Sequence, residues 1–480
     1  MKTTLFFLLF LVTCIPSNSQ WMTDHRLTNF AGNSYMPSNS QRAIVADGQN
    51  IHVVWYDAFI GNYLIYYTRS TDGGTTWRQD TNLILTNYEA TKPCIAVTGN
   101  YLHVAWVDRR IGNDEVYYKY STNGGVSWGP DIRMTDNVYN SQQPTIDASG
   151  QNVILMWDDN ISGNYEIYYK RSTDAGLTWG AETRLTNSAG SSLNPSVKLQ
   201  GSNVYAVWDD SRNGANTEIY FNRSTDYGVT WQADTRLTNF AEPSSNASFS
   251  VSNNQLHIAW QDYRDGNPEI YYKNSTNGGT SWSSDMRITS NGSNSWHPSI
   301  FAVDSHIHIA WEDNRDGNYE IYYNVSSNSG AAWGTDLRLT NAADNSNYPG
   351  IAVSESKVHV VWHDYRDGNF EIYYKQNPTG NTIGVTNISS QTPAKYSLSQ
   401  NYPNPFNPAT NIGFKIADFG SVRLSVHDVL GKEVAILVNQ QLQPGTYEVS
   451  WDASKFSSGV YFYRIEAGEF NAVNKMILVK

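Results

Sequence analysis

Three stretches of this chain gather acids, amides and an arginine into one short span: WQDYRDGNPEIYY (260–272), WEDNRDGNYEIYY (311–323) and WHDYRDGNFEIYY (362–374). In the last of them Asp364, Arg366, Asp367, Asn369 and Glu371 fall within eight residues. Such a set supports three kinds of chemistry. Carboxylates and amides around a turn can hold Ca2+. An arginine can clamp an anionic sugar. Or Asp364 and Glu371 accept from Arg366 and the loop amides, and Asp-Gly-Asn makes the turn. The same pairing recurs as Asp108 with Arg110, Asp210 with Arg212, Asp262 with Arg264 and Asp313 with Arg315. Recurrence favours scaffold, because an arginine beside each acid balances its charge without a cation. These loops are still the candidate ligand face. WYDAFIGNYLIYY (55–67) lacks both Arg and Glu, and WDDNISGNYEIYY (157–169) lacks Arg, which leaves them freer to specialise. Tyr56, Tyr263 and Tyr365 are expected at the surface of these loops, where a phenol can stack on a sugar.

The elements that position these loops follow from an internal repeat. Trp55, Trp106, Trp157, Trp208, Trp260, Trp311 and Trp362 each open a Trp-x-Asp step, at spacings of 51, 51, 51, 52, 51 and 51 residues. A period in this range marks a stacked or circular array of one supersecondary unit. Each unit reads as four short β-branched and aromatic runs bounded by Gly, Asn, Asp and Pro, which is the signature of strands. Four-stranded units at this period predict an all-β fold, a seven-bladed β-propeller. The N-terminal WMTDHRLTN (21–29) matches WGTDLRLTN (333–341), while the seventh unit ends after EIYYK (371–375) without a fourth strand. Residues 21–29 are therefore expected to complete blade seven and remove an open edge. TIGVTN (382–387) is the competing candidate for that place.

A second motif sits between the third and fourth strands. STDGGTTW (70–77) places Ser70, Asp72, Gly74 and Trp77 in a tight turn. The later copies supply Asn123 with Trp128, Asp174 with Trp179, Asp226 with Trp231, Asn277 with Trp282 and Asn328 with Trp333. Half of the copies carry an amide at the Asp position, which a general acid or a metal ligand would not tolerate. Asp and Asn alike can accept backbone N–H bonds and hold a turn. The turn is expected to be structural and to lie on the outer rim. Ser-x-Asp-x-Gly-x-x-Trp resembles the Asp-box of BNR-repeat, sialidase-like propellers. That resemblance implies the fold and raises exo-sialidase-like glycoside hydrolysis as an alternative activity. Catalytic members carry an arginine triad, a Tyr–Glu pair, an Asp acid/base and an early Phe/Tyr-Arg-Ile-Pro motif on six blades. Here the nearest strings are HRLTN and MRITS, and the arginines repeat by blade, whereas a catalytic triad breaks symmetry. No catalytic residue is carried over. The loops also resemble repeats of Tol-type periplasmic propellers, which bind proteins.

His52, His103, His257, His308 and His359 each stand three residues before a repeat Trp. Equivalent positions in different blades lie too far apart to share a metal, so no metal site and no cofactor is expected, with Ca2+ in the acidic loops as the alternative. The net charge of −12 argues against nucleic acid or an anionic membrane as partner. MKTTLFFLLFLVTCIPSNSQ has the layout of a secretory signal peptide over 1–19, with lipidation at Cys14 as a lesser alternative. Cys94 is then the remaining cysteine, in a core strand.

The repeat stops near residue 390. QTPAKYSLSQ reads as a linker, assigned to 389–397, after a propeller over 20–388. NYPNPFNP, DVLGKEV (428–434) and SGVYFYR then fall in short strands with Gly and Pro turns, a small β-sandwich over 398–480. This stretch is similar to the type A C-terminal sorting domain of type IX secretion cargo, and to the Ig-like module of flagellar hook-capping proteins. The resemblance implies a Gram-negative, Bacteroidetes-type host, contact with the type IX machinery, and a product secreted or attached to the outer cell surface. The expected product is a monomeric, non-catalytic binding or adhesion propeller with a glycan or protein ligand.

Overall fold

The computed structural model describes residues 21–38, 42–59, 62–84, 88–214, 216–354, 357–378, 386–389, 393–418, 420–442, 444–453 and 456–479. The signal-peptide segment, Cys14 and residues 382–385 lie outside them. Every named element is a β-strand, and among the described residues no helix is long and apolar enough to cross a membrane.

Among the described residues, seven antiparallel sheets succeed one another between His25 and Asn377. We number them sheets 1–7 in chain order. Sheet 3 shows the plan: Ser141–Ser149, Asn152–Asp159, Glu166–Ser172 and the two-residue Thr183–Arg184, each paired with the one before. Sheet 1 carries Ser34–Tyr35 as an additional strand. The second strands are buried on both faces, and the repeat tryptophans at their ends are 0 or 1% exposed. A large indole can be buried this fully only if its N–H finds an acceptor. In every sheet that acceptor is the Asp two residues on, from Trp55 Nε1 to Asp57 at 2.7 Å through Trp362 to Asp364 at 2.9 Å. The Trp-x-Asp step is thus a hydrogen-bonded corner.

The first strands pack side by side around the array. Ile44–Asp47 meets Ala90–Thr98, each later first strand meets the next, and Ser346–Ser354 of sheet 7 meets Ile44–Asp47 again. Buried Arg42 donates to the carbonyls of Pro144 (3.4 Å) and Pro195, tying sheets 1, 3 and 4 together. Sheet 7 has the order His25–Arg26, Glu371–Asn377, Lys357–Asp364, Ser346–Ser354. His25 faces Tyr374 and Arg26 faces Tyr373. Of the competing segment 382–387, the described residues Thr386 and Asn387 belong to Thr386–Ser389, which pairs with Gly445–Asp452.

Residues 386–478 contain two further four-stranded sheets. They share one core that includes Phe414, Val422, Val449, Trp451, Tyr463 and Met476.

Candidate functional site

The acidic loops resolve into two separate ion networks, and neither has charge to spare. In the first, the guanidinium of Arg366 forks onto Asp364 (2.5 and 2.7 Å) and reaches Asp24 at 2.7 Å. Its planar group lies 4.4 Å from the centre of the Tyr373 ring. Arg110, Arg212, Arg264 and Arg315 repeat this on Asp108, Asp210, Asp262 and Asp313, each with a second Asp from the end of its own sheet. Burial works against ionising Asp210, Asp262, Asp313 and Asp364. The arginine fork outweighs it and holds them below the usual carboxylate range.

In the second network Glu371 is fully buried and accepts from Arg26 (2.7 Å), Thr28 (2.5 Å), the Phe30 N–H (2.9 Å) and Asn369 (2.9 Å). The sequence reading that joined Glu371 to Arg366 is corrected here. Glu371 opens the third strand, so its cross-strand partner is the arginine of the fourth. Among the described residues, no three or more His, Cys, Asp or Glu converge as a metal-holding group.

The Ser-x-Asp turn is a joint between sheets. Asp72 Oδ1 accepts from the N–H groups of Thr75 (3.0 Å) and Thr76 (2.8 Å), and Ser70 Oγ accepts from the Gly74 N–H at 2.8 Å. The Thr76 hydroxyl, which donates to Asp72 Oδ2 at 2.6 Å, together with the Thr76 N–H and the Ser70 hydroxyl pulls the Asp72 carboxyl down to about 2. Asn123 does the same work: its Oδ1 takes the Ser127 N–H at 2.9 Å, while its Nδ2 donates to the Ser127 hydroxyl at 2.8 Å. Gly74 has φ +87°, and a Cβ there would sit 1.9 Å from the Tyr374 hydroxyl of sheet 7. Trp77 meets the same Tyr374 edge-on at 4.8 Å, as Trp128 meets Tyr67, Trp179 meets Tyr118, Trp231 meets Tyr169, Trp282 meets Phe221 and Trp333 meets Tyr272. Trp21 completes the circuit against Tyr323 at 5.0 Å. Asp72→Asn is therefore expected to leave the melting temperature unchanged, whereas Asp72→Ala lowers it by ~2 °C or more; thermal unfolding of the two variants checks this.

The five repeated histidines lie beside tyrosines of the third strand. His52, His103, His257, His308 and His359 place Nδ1 2.7 Å from the hydroxyls of Tyr67, Tyr118, Tyr272, Tyr323 and Tyr374. Burial pushes all five imidazoles down, to about 3 or 4.

One column breaks the symmetry. The middle residue of Trp-x-Asp is Tyr56, Val107, Asp158, Asp209, Gln261, Glu312 and His363 in sheets 1–7. Several of these accept a backbone N–H from a residue of the next sheet: Asp158 from Asn194, Asp209 from Asn246, Glu312 from Tyr348 and His363 from Met36. Asn194, Asn246 and Tyr348 sit at left-handed φ of 51°, 55° and 53° where the first strand slips register, as do Lys92, Gln143 and His297. Side chains with a Cβ avoid that region unless the fold imposes it. Five of the seven sheets place an acceptor here, of differing chemistry, while Val107 of sheet 2 offers none.

Where sheets 6, 7 and 1 meet, the variable column opens into a cleft of about 460 Å3. Tyr35, Tyr56, Trp296, His297, Tyr319, Tyr348, His363 and Phe370 supply aromatic wall, with Glu312, Asn345, Asn347 and Ser38 as polar groups and Met36 as the remaining lining. Glu312 takes His297 Nδ1 at 2.9 Å on one oxygen. The other receives the Tyr348 N–H at 2.7 Å and Asn347 Nδ2 at 3.4 Å. Burial favours the neutral acid, but His297 and these hydrogen bonds outweigh it and hold Glu312 below the usual range. Burial pushes His363 down to about 4. Of the three loop tyrosines, only Tyr56 lines the cleft; Tyr56 and Tyr263 are half-buried and Tyr365 is exposed. Sequence reasoning missed Glu312, His297, Trp296, Tyr348 and His363.

Residues 400–480 match the family of secretion system C-terminal sorting domains. That match indicates export by the type IX route. The protein is accordingly secreted or held at the cell surface. No curated protein matches the chain. Among solved structures, the polysaccharide lyase Uly1 is similar with a TM-score of 0.50 at 12% identity, over 74% of this chain and 99% of that one. Trypanosoma rangeli sialidase bound to the inhibitor DANA gives 0.47 at 12% identity, over 83% and 85%. A Dyadobacter fermentans protein of unknown function gives 0.47 at 13%, over 60% and 94%. Likeness at these identities is one of fold alone.

Proposed function

We propose that the protein is a non-catalytic binding or adhesion module, built as a seven-bladed β-propeller over 20–388 with Asp-box turns. A signal peptide over 1–19 starts its export. After a linker at 389–397, an Ig-like sandwich over 398–480 engages the type IX machinery and leaves a monomer released from, or attached to, the outer cell surface. One observation carries the reading: the acids and arginines of the repeated loops saturate one another. Asp108 with Arg110, Asp210 with Arg212, Asp262 with Arg264, Asp313 with Arg315 and Asp364 with Arg366 are each closed ion pairs, so none is free to do acid–base work or to hold calcium. The cleft between sheets 6, 7 and 1 has one carboxylate, Glu312, where glycoside hydrolysis uses a pair.

A second reading, a sialidase-like glycan hydrolase, has one observation in its favour. Burial pushes Asp158 up to about 7 and Asp209 up to about 6, and Asn194 bridges them, with its N–H on Asp158 and its side-chain amide on Asp209. Both are almost fully enclosed, at 1 and 2% exposed. The test is long incubation of the exported protein with sialylated, acidic and neutral glycans, followed by mass spectrometry. The binding reading expects every glycan intact; free sugar that disappears in Asp158→Asn establishes the hydrolase.

A further inference from the structure

We propose that the cleft where sheets 6, 7 and 1 meet is a binding site for an uncharged carbohydrate, held by stacking on the Trp296, Tyr319 and Tyr348 wall and read through hydroxyl contacts to Glu312 and Asn345. The inference rests on the binding-module reading and names its ligand class.

Four features select this ligand. The first is the wall. Aromatic faces carry negative charge and meet the weakly positive C–H face of a pyranose, a contact that needs no charge on the ligand. Trp296, Tyr319 and Tyr348 are half-buried, so each keeps surface for such a contact. The second is the sign of the site. No Lys or Arg lines the cleft, and the five loop arginines are already committed to aspartates. The buried carboxylate, with His297 as its partner and no Lys or Arg beside it among the described lining residues, disfavours an anionic sugar.

The third feature is the state of the polar groups. Glu312 is fixed from both sides by His297 and by the N–H of Tyr348, so its carboxylate is pre-oriented rather than recruited on binding. A lone carboxylate with both oxygens engaged is a poor cation site. The fourth feature is size. At about 460 Å3 the cleft falls in the range of small-molecule sites, with room for a short oligosaccharide.

Two positions in the same column show what a structural default looks like. Asp158 and Asp209 occupy the place of Glu312 in sheets 3 and 4, but they are almost fully enclosed and bridged to each other by Asn194. The aromatic cluster is confined to one sector of the ring, which symmetry alone does not produce.

The test titrates the full exported chain with cello-, xylo-, manno- and galacto-oligosaccharides, and with sialyllactose as the anionic probe, by calorimetry. The expected result is saturable binding of at least one neutral series, weakened about tenfold or more in Trp296→Ala and in Tyr319→Ala. Tyr139→Ala, at an exposed tyrosine of another sector, should bind as the parent does. Tyr319 lies in a loop, so its variant keeps the test alive if Trp296→Ala fails to fold. Tighter binding of sialyllactose, no binding of any neutral series, or affinity unmoved by both variants overturns the proposal. If neutral sugars fail while the protein still adheres to cells or captures a protein ligand, the ligand class falls and the binding-module reading stands. Neutral sugar bound and then cleaved keeps the site and removes the non-catalytic reading.

Discussion

Removal of residues 21–29 is expected to abolish cooperative folding of the repeat region. Without them, Glu371–Asn377 loses its edge partner, including the backbone bonds from Leu27 to Ile372 and from Met22 to Gln376, both 2.8 Å. Glu371 loses Arg26 and Thr28 and is left on an open edge with its charge uncompensated, and Arg366 and Lys375 lose Asp24. Stripping the partner from one buried charge is worth about 3–5 kcal/mol, and each bond to a charged group about 1.5–3 kcal/mol. The total is comparable to the ~5–15 kcal/mol by which whole domains are stable. An unpaired strand edge is also exposed to other chains. Size-exclusion chromatography and thermal unfolding of the truncated chain should show aggregation or a Tm lower by well over 10 °C. A synthetic 21–29 peptide should restore part of the loss. A truncated chain that melts as the parent does would place the seventh sheet's stability elsewhere.

Acid should unfold the repeat region earlier than carboxylate protonation alone requires. His52, His308 and His359 are held down to about 3, and His103, His257 and His363 to about 4. In the unfolded chain a histidine titrates near 6.5. Between those values the unfolded state binds more protons, so these residues lower stability as pH falls from about 6.5 toward 4. Asp57, Asp158 and Asp209 oppose them. Pushed up to about 7, 7 and 6, they keep protons in the folded chain that the unfolded chain releases near 4, and so lower stability as pH rises. With His306 also pushed down by burial, and Asp147 and Glu182 also pushed up by it, seven histidines stand against five carboxylates. The balance is a net uptake of roughly two protons on unfolding at pH 5, a slope of about 3 kcal/mol per pH unit. Near pH 7 the two sets nearly cancel. All tryptophans but Trp451 belong to the repeat region or its N-terminal strand, so denaturant melts followed by indole fluorescence report on it. The midpoint should be flat around pH 7 and fall steeply below pH 6; a midpoint unchanged down to pH 5 contradicts this.

What could be read from the chain is what the repeat holds constant. Trp-x-Asp is visible because the Asp must follow its Trp by two residues to accept the indole N–H. WMTDHRLTN is visible because its Asp24, Arg26 and Thr28 stand where Asp336, Arg338 and Thr340 stand in sheet 6, with the same duties. The partner of Glu371 was misread because nearness in sequence pointed to Arg366, whereas strand pairing brings Arg26 to it. The turn at Ser70 was legible as a turn, but not as a joint. Gly74 and Trp77 are dictated by Tyr374, about 300 residues away in the chain and adjacent only after the ring is assembled. The cleft was the least legible part. Its residues come from three sheets and occupy the positions at which the repeats disagree. A search for constancy passes over them; lining up the x of each Trp-x-Asp step would have shown Tyr56, Glu312 and His363 as departures.

The same bridge closes five sheets and the seventh, but over very different lengths of chain. Arg184 reaches Glu166 across 18 residues, and sheets 2–6 all keep that separation; Arg26 reaches Glu371 across 345. Loop-closure entropy grows as (3/2)RT ln n, so the long loop carries about 2–3 kcal/mol more than its local counterparts. The seventh sheet is therefore the seam at which the ring breathes. It cannot form until Asn377 has emerged, so the nascent chain passes through a stage in which the ring is open. During that interval the strand of one molecule and the vacant edge of another are equally good partners, and the yield of closed monomer becomes a contest between dilution and a 345-residue tether.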